Sequence, residues 1–319
     1  MVSRSGFSGV FLILLAGLLM ASQQRPSFSA TTDTLSLERK LPLGDVAGRI
    51  DHLAADLAHH RLFVAELGNN SVGVVDVAAG KVLHRIAGLK EPQGVGYVPS
   101  ADTLYVANAG DGTVHRYRGA DLSPLGTLRL GDDADNVRVD GRANQVIVGY
   151  GSGALAVLDA ASGRKTGEIR LAAHPESFQL EPSGGSRVFV NVPDAGANFP
   201  MALDDSGQRL LVVYRKPALL AVFDTRNGNV VARLPACGDA DDVFFDAKRQ
   251  RIYVSCGEGA LAVVQRGPDD TYRELGRVPT VSGARTSLWV PDLDRLFLAV
   301  RASGNERAAL WVFRPAEAP

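Results

Sequence analysis

The chain has 319 residues, with 34 Lys and Arg against 35 Asp and Glu, a formal net charge of -1 and 45% hydrophobic residues. That is an ordinary globular profile, and with no block of like charges it disfavours nucleic acid or another polyanion as partner. Length allows one large all-β domain or two smaller ones, so domain number has to come from pattern.

Residues 1–29 contain no acid, carry Arg4 near the start, and hold an apolar run from Val10 to Met20 followed by small and polar residues. This is the pattern of a secretory signal peptide. The run is shorter than the roughly 20 apolar residues of a transmembrane helix, and Gly17 interrupts it. Cleavage after Ser29 is expected, with Ala30 nearly as good a site. The product is a mature chain of residues 30–319 with no transmembrane segment, placed in the periplasm or the medium. Both cysteines then sit in an oxidising compartment.

Beyond Leu35 a repeat organises the chain. Short apolar strands of one type recur at Arg61-Leu-Phe-Val-Ala, Leu104-Tyr-Val-Ala-Asn, Val146-Ile-Val-Gly, Val188-Phe-Val-Asn, Leu210-Leu-Val-Val, Ile252-Tyr-Val-Ser and Leu296-Phe-Leu-Ala. Each follows an earlier strand, whose opening apolar residue falls at Leu53, Val95, Val137, Phe178, Met201, Val243 and Leu288, giving spacings of 42, 42, 41, 23, 42 and 45. Three Asp-x-x-x-Gly turns, at Asp76–Gly80, Asp159–Gly163 and Asp224–Gly228, fall 22 or 23 residues after the opening residue of their units. In such a turn Asp caps the bend and Gly accepts positive φ. Each unit therefore holds two hairpins, four strands in about 42 residues, which is the size of a propeller blade. Seven openings predict a seven-bladed, all-β propeller of antiparallel four-stranded blades. Leu35 to Leu43 is an extra strand expected to complete the last blade and close the ring.

The spacing of 23 is the irregular one. Between Phe178 and Met201 there is room for strands at Ser177–Leu180 and Arg187–Val192 only, so the fourth blade is expected to be truncated to two strands. The alternative is a ring of six blades with an inserted hairpin.

Tyr105-Val-Ala-Asn108, the Gly-Asp-Gly-Thr-Val that follows it, and the Asp-x-x-x-Gly turns together resemble the YVTN-repeat β-propeller family of exported bacterial proteins, over essentially all of residues 35–315. The resemblance implies a seven-bladed ring, generally without an assigned reaction. WD40 repeats fit less well, because Trp289 and Trp311 are each followed by Val rather than Asp.

In a propeller the innermost strands line a central channel, and the residues just before them crowd its mouth. Those positions are Asp51-His52, Gln93-Gly94, Asp135-Asn136, Glu176-Ser177, Phe199-Pro200, Asp241-Asp242 and Thr286-Ser287, with Arg285 adjacent. Asp51, Asn136, Glu176 and Asp241 offer oxygen ligands to a divalent cation such as calcium, zinc being the other metal considered. His52, Asp135, Asp242 and Arg285 are the candidate ligand-binding residues around them. The bland reading of the same ring is polar hydration of a channel and capping of turns. His59, His60, His84, His115 and His174 fall outside the ring, which argues against a multi-histidine metal site. Cys237 lies in the loop before Asp241 and Cys256 ends the second strand of the same unit, so a disulfide and two buried free thiols both fit.

There is no Gly-x-Ser-x-Gly elbow, no Cys-x-x-Cys pair, and no glycine loop leading into a helix. The first functional expectation is an exported, non-enzymatic propeller acting as a monomeric binding scaffold for a protein or small ligand. The second is a divalent-metal lactonase resembling gluconolactonase and regucalcin propellers, with Glu176, Asn136 and Asp241 on the metal and Asp51 or His52 as base. A structural cell-envelope protein without ligand is the third.

Overall fold

A computed structural model describes residues 34–181, 187–192, 197–204 and 208–317. The expected signal peptide, residues 1–29, lies outside the described residues. Strand β1 (Leu35–Pro42) is followed by blade one, β2 to β5 (Leu53–Asp56, Arg61–Glu66, Ser71–Asp76, Lys81–Ala87). Blade two holds β6 to β9 (Pro92–Val98, Thr103–Asn108, Thr113–Arg118, Pro124–Arg129), and blade three β10 to β13 (Val137–Asp140, Gln145–Tyr150, Ala154–Asp159, Lys165–Arg170). A hairpin of β14 (Ser177–Leu180) and β15 (Val188–Asn191) comes next. Blade four holds β16 to β19 (Asn198–Leu203, Arg209–Arg215, Ala218–Asp224, Val230–Pro235), and blade five β20 to β23 (Ala240–Asp246, Arg251–Cys256, Ala260–Arg266, Tyr272–Pro279). Blade six takes β24 to β26 (Thr286–Val290, Arg295–Val300, Ala309–Pro315) together with β1.

The seven-bladed expectation is corrected by this topology. Six sheets have four strands, and the unit opening at Phe178 supplies only the two-stranded β14–β15 sheet. The six-bladed alternative with an inserted hairpin is the one that matches. Periodicity overcounted because the hairpin keeps the sequence of an inner strand: Phe178 is buried, as are Leu53, Val95, Val137, Met201 and Val243 at the same position of complete blades. The outer pair of strands is what makes a blade, and there is no sequence to build it. A two-stranded sheet is marginal by itself. It is held between β10 and β16, where the Gln179 side-chain amide donates to the Met201 carbonyl at 2.9 Å.

Ring closure is by pairing of the two ends of the described chain. β1 runs antiparallel to β26, from Leu35 opposite Pro315 to Pro42 opposite Ala309, so neither blade six nor the ring has an open first strand.

The second strands explain why their sequences are apolar without alternation. In β3, Leu62 and Val64 pack into a cluster with blade six, while Phe63 and Ala65 pack into one with blade two. Blade two repeats this: Leu104 and Val106 face blade one, and Tyr105 and Ala107 face blade three. Both faces of a blade are core, so both parities of the strand must be apolar. The outermost strands, such as Lys165–Arg170, are mostly exposed and correspondingly polar.

The Asp-x-x-x-Gly segments turn the chain from third to fourth strand. In blade one, Asp76 Oδ1 accepts from the backbone N–H groups of Ala78 and Ala79, both at 2.8 Å, and Gly80 adopts φ +69°. Close approach of inner strands demands glycine elsewhere: a Cβ on Gly94 would stand 1.6 Å from the Asp135 carbonyl oxygen. Cys237 and Cys256 are joined by a disulfide with a Cα–Cα distance of 5.8 Å, tying the lead-in of β20 to the end of β21.

Candidate functional site at the channel mouth

Because every blade begins at the axis, residues about 40 apart in sequence meet there. Asp51, His52, Asp135, Asn136, Glu176, Asp241, Asp242 and Arg285 all line one cavity of about 270 Å³. Arg49, Asp133, Arg138, His174 and Arg215 join them, and sequence spacing had not placed these five. Arg138 had a discoverable position, two residues after Asn136 and therefore on the same side of an extended strand. Arg215 had none, since it ends a second strand. His174 was assigned to a loop, and only folding turns that loop toward the axis.

The mouth has two unlike sides. On the side of blades four, five, six and one, charges neutralise one another. Arg49 Nη2 lies 2.6 Å from Asp51 Oδ2, Arg285 Nε lies 3.1 Å from Asp241 Oδ2, and Arg215 also pairs with Asp241. Arg215 is steadied further by the Phe199 ring, 3.9 Å beneath its guanidinium, and by donation to the Ala240 carbonyl at 2.7 Å. His52 Nδ1 stands 2.9 Å from Asp51 Oδ1. Burial opposes a charge on His52, but the carboxylates of Asp51, Asp135 and Asp242 outweigh it and push the imidazole up to about 9. Burial likewise works against ionisation of Asp51, and His52 and Arg49 bring it below the usual carboxylate range.

On the side of blade three and the inserted hairpin, Asp133, Asp135 and Glu176 have no Arg or Lys within 4.0 Å among the described residues. The ring nitrogens of His174 lie 3.6 Å from Asp133 and 4.0 Å from Asp135, and His52 Nδ1 also lies 4.0 Å from Asp135. The Asp135 carboxylate is the main influence that raises His174 to about 9, and the Gly151 carbonyl accepts from its Nδ1 at 2.7 Å. Burial, with Asp135 and Asp133 nearby, raises Glu176. Asn136 is 1% exposed and donates its amide to the Glu176 carbonyl at 3.0 Å, while its Oδ1 accepts no hydrogen bond among the described residues.

The four residues considered for a metal therefore share a cavity but divide between its sides. Asp51 and Asp241 already face guanidinium groups, and Glu176 and Asn136 lie opposite. Among the described residues no three His, Cys, Asp or Glu side chains converge in a metal-holding group. No helix among them is long and apolar enough to cross a membrane.

Comparison with known proteins agrees on the fold. A chain of the crystal structure of the mitotic checkpoint complex superposes with a TM-score of 0.75 at 15% identity, covering 97% of this chain and all of that one. The RRP9 WD40 repeats give 0.74 at 11% identity, with coverages of 90% and 98%. Kuenenia stuttgartiensis hydrazine synthase gives 0.66 at 17% identity, with coverages of 80% and 94%. The protein is a β-propeller. No protein-family model and no curated protein matches the sequence. At these identities the likeness establishes architecture alone, and 1766 matching chains of known structure make the propeller a fold that selects no single activity.

Proposed function

We propose that this propeller is an exported binding scaffold whose channel mouth holds a ligand by a cationic or N–H-rich group, either a small amine or a basic side chain of a protein partner. The observation that carries the reading is the imbalance of the mouth. Its blade-five side is internally neutralised, whereas Asp133, Asp135 and Glu176 face the cavity without a guanidinium or ammonium partner and the buried Asn136 Oδ1 beside them lacks a donor. Clustered carboxylates repel one another, so a bound cation lowers the free energy of this side and leaves the paired side unchanged. The segments that lead into β10 and β14 carry these carboxylates to the axis.

Export is part of the proposal, supported by the leading apolar segment and by the disulfide, a bond that persists in oxidising compartments. The motif resemblance to YVTN-repeat propellers supports the same placement.

The test is calorimetric titration of the purified protein with a primary diamine, L-arginine amide and a lysine-containing dipeptide. Saturable binding by at least one probe, weakened about tenfold or more in the double variant Asp135→Asn/Glu176→Gln, is expected from the loss of charge-assisted contacts. Absence of binding by all three, or binding that the double variant leaves unaltered, overturns the reading.

A further inference from the structure

Further along the innermost strands, beyond the mouth, lies a second cavity of about 330 Å³. Its wall is mainly apolar, including Val139, Leu203, Phe244, Phe245 and Leu288, and the polar groups at its boundary with the mouth are His52, Arg138, Gln179 and Asp242. Its volume falls at the small end of the range for ligand pockets, about 300–1,000 Å³.

Arg138 is the unusual group here. It lines both cavities and lies 5.6 Å from the Phe178 ring, yet no carboxylate approaches within 4.0 Å of it among the described residues. Among the described residues its one hydrogen bond runs from Nη1 to the adjacent Val137 carbonyl at 3.0 Å, so most of its five donors meet no partner there. Asp242, the acid across the waist, turns Oδ2 to the Ser287 backbone N–H at 2.7 Å instead. Burial raises Asp242 to about 7, so near neutrality it compensates the guanidinium only in part. Burial also lowers Arg138 from its usual range, more than Asp242 and Asp135 raise it.

We propose that the inner chamber binds a small monocarboxylate, with the carboxylate on the Arg138 guanidinium and an apolar body against Val139, Phe245 and Leu288. A guanidinium is matched to carboxylate by its fork of parallel donors. A phosphate fits less well, because beyond Arg138 its second charge would find His52, already held by the Asp51 carboxylate, an apolar wall and an Asp242 that repels it once ionised. The inference does not rest on which ligand the mouth takes, since Asp133, Asp135 and Glu176, the carboxylates assigned to that ligand, lie outside this chamber.

The probe is octanoate, with 1-octanol as its uncharged counterpart and acetate as its head group alone. Octanoate is expected to bind saturably by calorimetry and to raise the melting temperature, while octanol and acetate bind at least tenfold more weakly. Arg138→Met, of similar length and without charge, should weaken octanoate about 10- to 100-fold, the range of a lost charge-assisted contact. Should that variant fail to fold, Val139→Phe, which fills the chamber while keeping Arg138, is expected to abolish octanoate binding and spare the cationic probes of the mouth. Equal binding of octanoate and octanol, octanoate affinity retained in both variants, or no octanoate binding at all overturns the proposal; the last outcome assigns Arg138 to solvation by channel water.

Discussion

The side of the ring from blade five through blade six to blade one and the side formed by blade three with its hairpin do different work at one mouth. The first is braced three ways: β1 closes blade six, the Cys237–Cys256 disulfide pins blade five, and continuous apolar clusters join blade to blade. Its charges are paired. In the second, blade three shares a large cluster with blade two, but its face toward the hairpin rests on a small one around Ile147, Leu155 and Phe178, and the hairpin reaches blade four through hydrogen bonds such as Gln179 to Met201. Its carboxylates meet imidazoles but no guanidinium or ammonium group within 4.0 Å among the described residues. The contrast teaches that the propeller concentrates its stability on one side of the axis and its unsatisfied chemistry on the other, as binding regions tend to draw on the less stable parts of a structure.

The largest expected effect comes from cutting each side at an aromatic anchor. Phe63→Ala and Phe178→Ala both remove a fully buried ring, for which about 3–5 kcal/mol is typical. Phe63 sits in a dense interblade cluster and should fall at the upper end, with cooperative loss of the whole ring. Phe178→Ala should fall at the lower end and open the hairpin locally, seen as hydrogen exchange confined to β14 and β15. Equal costs by urea unfolding, with global exchange in both, would erase the contrast.

Next is the disulfide. Cys237→Ser/Cys256→Ser frees a span of 19 residues and should cost about 3 kcal/mol in the chain-entropy picture, read as a lower urea midpoint. Reduction of the wild type should reproduce it. A change below about 1 kcal/mol would mean that the packing of blade five suffices without the bond.

A smaller effect follows from protons at the waist. Folding lifts Asp242 from 3.8 to about 7, so the folded chain holds an extra proton between those values and stability falls as pH rises across that window. His52 and His174 rise from 6.5 to about 9, so their contribution is complete below 6.5 and is lost as pH climbs toward 9. Asp242 faces His52 and Asp51 from blade one, Asp241 on its own strand and Arg138 from blade three. Asp242→Asn should flatten the decline below pH 7 and shrink the part of the one above it that His52 carries, leaving the His174 part. Melting curves taken from pH 4 to 9 decide this, and an unchanged profile in the variant would show that Asp242 does not carry the step.

The smallest expected effect on stability is at the unpaired side. Glu176→Gln removes a raised carboxyl without touching a guanidinium, so it should leave stability nearly unchanged or slightly higher at pH 7.5 while weakening cationic probes. A clear loss of stability would indicate that Glu176 is structural after all.

Much of this protein was legible in its sequence because a propeller is a local repeat. Apolar second strands, Asp-x-x-x-Gly turns and a period near 42 specify four-stranded blades, and the position just before each inner strand specifies the ring, so Asp51, Asn136, Glu176 and Asp241 could be gathered from spacing alone. Blade number could not be read the same way, because Phe178 carries an inner-strand pattern whether or not outer strands follow, and only pairing of strands distinguishes a blade from an inserted hairpin. The division of the ring into paired and unpaired sides was equally beyond spacing. Arg49 and Arg215 reach it from a loop and from the end of a second strand, and whether a carboxylate meets a guanidinium, an imidazole or no cation depends on which side chains converge within a few ångströms. The sequence by itself determined the repeat, its turns and the identity of the axial residues, since these follow from local chain chemistry; tertiary structure decided how many blades close the circle and which charges remain unpaired, since both depend on contacts between residues far apart in the chain.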